Sequence, residues 1–310
     1  MLLSPNSVYA DGAILTFGMQ FTGFVVAAVL QTEIFYDVLG GINFLALAVL
    51  AFVSGQGTID AGRNNVFVAL FAVSRGWLLL FLAWRAHHRK GDSRFDGVRN
   101  VPSTFFVYWM VQAIWVYCIS LPLLAVAEHA HDHQTDAAAD AGGVDGSFLL
   151  LLAMAMSIVA EIHSDVAKAG WVSRGRPGGF CREGLWKHSR HPNYAGEILT
   201  WVFAAVYATC VCGWSWKVAA VASVSPLFTV QILLNTSGTG VWNAEGKNLR
   251  RYYEDETIAG NYEEYRKTTP PLFPTLFVPY ESLPRGFQRR ICFEWNRFEY
   301  RKPSKEGKEQ

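Results

Sequence analysis

The chain has 310 residues, of which 51% are apolar, 14% aromatic and only 17% charged. Soluble domains carry about 25% charged residues, so this balance excludes an ordinary soluble domain and points to a membrane chain. The formal net charge of +1 argues for neither nucleic acid nor an acidic partner, because it conceals a strong segregation of charge along the sequence.

Apolar stretches run over 13–30, 38–59, 64–84, 101–127, 147–164, 198–216 and 218–244, each near the roughly 20 residues that cross a bilayer as a helix. The expectation is an all-α integral membrane protein with about seven transmembrane helices. In the fifth stretch only Ser147 to Ala160 is free of charge before Glu161, so a polar end must complete that span or the helix must tilt. No basic leader precedes the first stretch, and insertion is expected to begin with span one itself. Of the 27 Lys and Arg, all but Arg63, Arg75 and Lys217 fall after span three, before span six or beyond residue 245. Those segments share one side of a seven-span chain, and the positive-inside rule makes that side the cytosol. The N-terminus is then outside or lumenal and the C-terminus cytosolic. The loop at 128–145 is acidic and holds His129, His131 and His133. A spacing of two does not converge on one metal from a helix, so the loop is read as flexible and no metal site is expected. Cys118, Cys181, Cys210, Cys212 and Cys292 are expected to be reduced packing residues.

Polar groups inside or beside the spans carry the functional argument. Glu33 and Asp37 stand four apart, as on one helix face before span two; they either complement the helix dipole or face an internal cavity. Arg75 lies in span three, where a cation needs an acid or an aqueous cavity; Asp37 is its natural partner. In span four Tyr108 and Gln112 sit one turn apart, and the amide must find a hydrogen bond in a place without water. A bond to a neighbouring helix and a place in a substrate cavity both satisfy it. Glu161, Asp165 and Lys168 form a stripe along the end of span five, with Trp171 beyond it. This is either a solvated, ion-paired helix extension or one wall of a site. The loop from Arg174 to Lys187 is basic and rich in glycine, which suits a phosphate-bearing ligand and also any cytosolic loop. Then Pro192 fits the first turn of a helix, with Ser189 and His191 able to cap it, and Asn193, Glu197 and Trp201 fall on one face. An amide and a carboxylate so near an apolar run cost free energy unless paired, which favours a ligand site over a capped helix start. Gly196 allows close approach of a ligand or a helix.

From Asn248 to Arg266 the sequence reads as a helix ended by Pro270, Pro271 and Pro274. Phe287 to Tyr300 mixes aromatic and basic residues as a segment lying on a membrane surface does, and Lys302 to Gln310 is expected to be disordered.

Arg190-His-Pro-Asn-Tyr-x-Gly-Glu197-x-x-x-Trp201, with Gly184-Leu-Trp before it and Asn235-Thr-Ser-Gly-Thr, Tyr262-x-x-Tyr265-x-x-x-Thr269 and Phe273-Pro274 after it, resembles the DUF1295 family of the steroid 5-alpha-reductase superfamily. Arg94-Phe-Asp96, Trp109-x-x-Gln112-Ala and Glu161-x-x-x-Asp165-x-x-Lys168 look like earlier blocks of that family, so the likeness covers roughly residues 30 to 275. The resemblance implies a membrane enzyme that binds NADPH from the cytosol and reduces a carbon–carbon double bond conjugated to a carbonyl or in a sterol nucleus. It implies a cofactor shell of Asp165, Lys168, Asn193, Tyr194, Glu197, Trp201, Tyr262, Tyr265 and Arg266, with Arg190 and His191 at its mouth. A multi-span part at 1–245 would carry the lipid site, and the cytosolic segment 246–310 would complete the cofactor site and end in a basic tail. The growing charge on the carbonyl oxygen needs a proton donor, for which Tyr108, Glu33 and Asp37 are the candidates. The expected substrate is a steroid-like or other lipid entering from the bilayer, the expected compartment the endoplasmic reticulum, and no obligate protein partner is evident. Isoprenylcysteine and phospholipid methyltransferases have a similar Arg-His-Pro-x-Tyr-x-Gly entrance and bind S-adenosylmethionine, which makes a methyltransferase the rival reading. A non-catalytic lipid-binding protein is the third.

Overall fold

A computed structural model describes residues 7–55, 61–88, 95–132, 146–236, 240–275 and 277–295. Seven of the described helices are long and apolar enough to cross a membrane, and the chain is an integral, multi-pass membrane protein. They are α1 (Val8–Leu30), α2 (Tyr36–Ser54), α3 (Ala61–His88), α4 (Pro102–Asp132), α5 (Gly146–Ser173), α6 (Pro192–Val211) and α7 (Trp216–Val230), the last prolonged by a π turn over Gln231–Asn235. The fifth span is therefore continuous through its polar stripe and ends only at Ser173. Span seven stops at Asn235, short of the expected 244, because the π turn ends it and Gly240 opens a separate helix, α8 (Gly240–Glu254). The single helix expected across Asn248–Arg266 is broken at Asp255, whose carboxylate accepts from the Thr257 N–H at 3.0 Å and starts α9 (Glu256–Thr268). A short α10 (Arg285–Arg290) follows. Of the histidines in the acidic loop, His129 and His131 belong to α4 and His133 lies outside the described residues.

The chain forms two compact units, residues 1–155 with 200–228 and residues 156–199 with 229–310. In the first, α1 packs on α4 and α2, and α2 packs on α3 and α4. Its core holds Phe44, Phe67, Phe71, Trp109, Trp201 and Tyr207, all fully buried. Helix ends inside a bilayer must satisfy their backbone groups within the protein. The start of α1 is satisfied by Glu128 of α4, which accepts from the Ser7 hydroxyl at 2.9 Å and the Val8 N–H at 2.6 Å. Polar side chains pair between helices: Gln20 donates to Asn43 at 3.1 Å, and Gln112 donates to the Tyr36 carbonyl at 2.9 Å. Arg75 is fully buried with its guanidinium 4.6 Å from the Trp201 ring and 5.5 Å from the Phe44 ring. Such desolvated cation–ring contacts are worth up to about 2 kcal/mol.

The second unit is built from aromatic rings. Phe180, Leu249, Tyr252, Tyr262 and Tyr265 form one buried cluster, and Trp171, Cys181 and Trp186 form another.

Candidate functional site

In the second unit the two motif blocks come together. Gly196 sits on α6 where that helix meets α5: a Cβ there would lie 2.9 Å from both the Glu161 nitrogen and the Ser157 oxygen. The close approach the sequence anticipated is thus to a helix, and it sets the next contact. Asn193, one turn earlier on α6, donates through Nδ2 to Asp165 Oδ1 at 3.1 Å. Its own Oδ1 is buried and accepts no hydrogen bond. Glu197 follows one turn later and is half-buried. Trp201, two turns after Asn193 on the same helix, packs in the core of the first unit beneath Arg75 and against Phe71, ring centroids 5.6 Å apart.

Lys168 follows Asp165 by three residues, and its ammonium lies 4.8 Å from the Trp171 ring and 4.3 Å from the Trp186 ring. Both indoles are fixed by their N–H groups, Trp171 to the Pro177 carbonyl and Trp186 to the Ser164 carbonyl, each at 2.9 Å. The loop between them turns through Gly175, Gly178, Gly179 and Gly184, all at positive φ, a region that glycine enters without steric cost. Its basic groups are partly engaged locally. Arg174 pairs with Glu183 at 2.5 Å, and the Arg182 guanidinium lies 5.4 Å from the Tyr265 ring.

The Arg190-His191 strip is held by backbone. The Arg190 and His191 N–H groups donate to the Pro270 and Pro271 carbonyls, each at 2.9 Å. The Ser189 hydroxyl accepts from the His191 N–H at 3.2 Å, as expected of a residue ahead of a helix start. The His191 and Tyr194 rings stack at 5.3 Å with 7° between their planes. Tyr265 closes the loop by donating its hydroxyl to the Trp186 carbonyl at 2.5 Å, with the Ser189 carbonyl at 3.3 Å. Tyr262 and Tyr265 are thus buried in the packing that shapes the site. Tyr265→Phe should lower stability by about 1 kcal/mol, the usual net worth of a buried hydrogen bond, in thermal unfolding of the detergent-solubilised protein.

Arg190 and Arg266 converge on one carboxylate, that of Glu294. Arg190 meets Oε2, the Tyr280 hydroxyl donates to the same oxygen at 2.9 Å, and Arg266 meets Oε1 at 2.7 Å. Arg266 also donates to the Tyr253 hydroxyl at 3.1 Å. Burial opposes ionisation of Glu294, but the two guanidiniums outweigh it and hold the carboxyl below its usual range. Burial and the adjacent carboxylate push the Tyr280 phenol up. Burial raises the Cys181 thiol, which favours its protonated form.

The proton-donor candidates lie in the first unit. Glu33 and Asp37 do not share a helix face as the sequence suggests, because α1 ends in a left-handed Gln31 at φ 52° and α2 begins only at Tyr36. Glu33 therefore belongs to the connecting turn, where its carbonyl accepts from the Tyr36 N–H and its carboxylate pairs with Arg99 at 3.0 Å. Asp37 lies in the first turn of α2. Tyr108 is half-buried beside Phe95, ring centroids 5.3 Å apart, and its carbonyl accepts from the Tyr36 hydroxyl at 2.8 Å. On the same unit an apolar groove of about 540 Å³ is lined by Leu15, Gly18, Met19, Thr22, Phe35 and Leu39, among others.

Sequence reasoning missed Glu294, Tyr280 and the Arg99 partner of Glu33. Only the charge of Arg99 was legible, as a marker of side. The second unit thus holds an amide oxygen without a donor, an ammonium against two indole rings and two arginines on one carboxylate.

The model of the protein family described as "Protein of unknown function (DUF1295)" matches residues 23–269. No curated protein and no solved structure matches the chain.

Proposed function

The chain belongs to the DUF1295 family, and from that membership together with the Asp165–Asn193 pair we propose that it is an NADPH-dependent membrane reductase of a carbon–carbon double bond in a steroid-like or other lipid enone. The observation that carries the reading is the Asn193 Oδ1, buried without a donor while Nδ2 is held by Asp165. A buried acceptor left unpaired costs about 1–3 kcal/mol, and a carboxamide or ribose hydroxyl supplies the missing donor. On the same unit, Lys168 offers positive charge to a phosphate, the stacked His191 and Tyr194 offer a ring face, and the Glu197 carboxylate adds negative charge for ribose hydroxyls. Arg190 and Arg266 suit the phosphates further out. Tyr262 and Tyr265 act behind these groups by shaping the loop. NADPH, when bound, supplies hydride. The chain's own part is to hold the lipid carbonyl and give it a proton. Tyr108 and Asp37 are the residues proposed for this, ahead of Glu33, which Arg99 holds in the turn. The apolar groove on α1 and α2 suits a flat lipid arriving sideways from the bilayer. By analogy with lipid reductases we assign the protein to the endoplasmic reticulum, with the second unit's site facing the cytosol.

Gly18 lines this groove and a Cβ there would meet no atom within 4 Å. Gly18→Phe should therefore leave the melting temperature within about 2 °C while lowering lipid affinity about tenfold, the effect of blocking roughly one ring's worth of apolar contact. Equilibrium binding of a fluorescent sterol measures it.

The direct test is thermal stabilisation of the detergent-purified protein by NADPH, NADH and S-adenosylmethionine side by side. Stabilisation by NADPH is the expected result. A response to S-adenosylmethionine instead moves the protein to the methyltransferases, and silence from all three leaves lipid binding without catalysis.

A further inference from the structure

Glu294 lies beyond residues 23–269, the stretch the family shares, yet it occupies two arginines that both lie within that stretch. The side chains are secluded, Arg190 being 3% exposed, Arg266 13% and Glu294 15%. Two guanidinium forks converging on one oxyanion form the donor set that recognises phosphoryl groups, whose several oxygens can take both forks at once. A carboxylate fills such a site with two oxygens only.

The segment that brings Glu294 there is held partly by its own bonds and partly by the burial of Tyr280 and Cys292 and the Phe293–Phe273 ring contact at 6.2 Å. Several of the bonds that shape it are internal: Gln288 donates to the Tyr280 carbonyl at 2.9 Å, the Glu294 N–H donates to the Gln288 carbonyl at 3.0 Å, and the Tyr280 hydroxyl donates to Glu294 itself. Phe277, Phe287 and Ile291 on the same segment are exposed rather than packed. Phe293, immediately before Glu294, holds φ at +62°, a left-handed conformation that an aromatic residue rarely adopts. That kink turns the chain at the residue next to the arginines.

We propose that Arg190 and Arg266 form a binding site for a phosphate or pyrophosphate oxyanion, and that Glu294 is its resident competitor, carried on a C-terminal segment that leaves the arginines when the ligand binds. The inference rests on the reductase reading only for the source of the phosphate, which is then the cofactor. A lipid headgroup phosphate is the other source. In either case the segment sets an affinity threshold, because the ligand must outbid a carboxylate already in place.

Hydrogen exchange of the full-length wild-type protein is the decisive measurement, with inorganic pyrophosphate, NADPH and short-chain phosphatidic acid as separate probes. Saturating pyrophosphate should speed exchange across residues 280–294, and Glu294→Gln should bind pyrophosphate about tenfold more tightly than wild type. Tyr280→Phe, which removes one bond to the carboxylate, should show a smaller gain and serves if Glu294→Gln does not fold. If the segment stays protected at saturation, or no folded variant gains affinity, Glu294 is a structural staple and the proposal falls. Tighter pyrophosphate binding with no response to NADPH keeps the anion site and removes the reductase reading, with phosphatidic acid then identifying a headgroup. NADPH binding that is equal in wild type and Glu294→Gln, with the segment still protected, keeps the reductase reading and removes this one.

Discussion

Gly196→Val should unfold more of the protein than any change to its polar groups. The position where the side chain must go lies 2.9 Å from two backbone atoms of α5, and backbone within a membrane helix cannot yield as a flexible side chain does. Overpacking of this kind costs about 3 kcal/mol or more, a fall of roughly 6–12 °C in melting temperature for a chain of this size. The loss should extend to ligand binding, because the same helix contact brings Asn193 within reach of Asp165. Thermal unfolding with and without NADPH checks both. A Gly196→Val protein that melts like wild type would mean that α5 and α6 are not in this contact.

Asn193→Ala should instead spare the fold and remove the ligand. The substitution deletes the bond to Asp165 and the open acceptor together. Hydrogen bonds involving a charged group are worth about 1.5–3 kcal/mol, so NADPH affinity should drop about 10- to 100-fold in calorimetric titration. Glu197→Ala, one turn along α6, should weaken binding less, as it leaves the Asn193–Asp165 pair in place. Unchanged affinity in folded Asn193→Ala protein would make Asn193 a packing residue and withdraw the cofactor site from this corner of the unit.

The spans were legible because hydropathy needs no partner: a run of apolar residues costs the same to expose whatever lies beside it. Pro192 and the cap residues before it were legible for the same local reason, and α6 begins at Pro192. What was hidden depends on residues far apart in sequence. Span one starts at Val8 rather than 13 because a carboxylate 120 residues away takes its first N–H. Glu33 and Asp37 counted as helical neighbours until the left-handed Gln31 broke the helix between the two spans. Within the site, Asp165, Lys168, Arg190, His191, Asn193, Tyr194, Glu197, Tyr262, Tyr265 and Arg266 all fall in the second unit, whereas Trp201 falls in the first. Period places Trp201 on the Asn193 face of α6, and its bulk fills the core of the first unit. Glu294 had no signal at all, being one acid in an aromatic and basic stretch that pairs across 104 residues with Arg190.

The Glu128 cap on α1 also orders assembly in time. Ser7 and Val8 are made 120 residues or more before Glu128, the carboxylate at the far end of α4 that satisfies them. Until α4 has been synthesised, the Val8 N–H lacks this acceptor and must be satisfied by water or headgroups. The leading turn of α1 can reach its final pairing only after α4 has arrived to receive it.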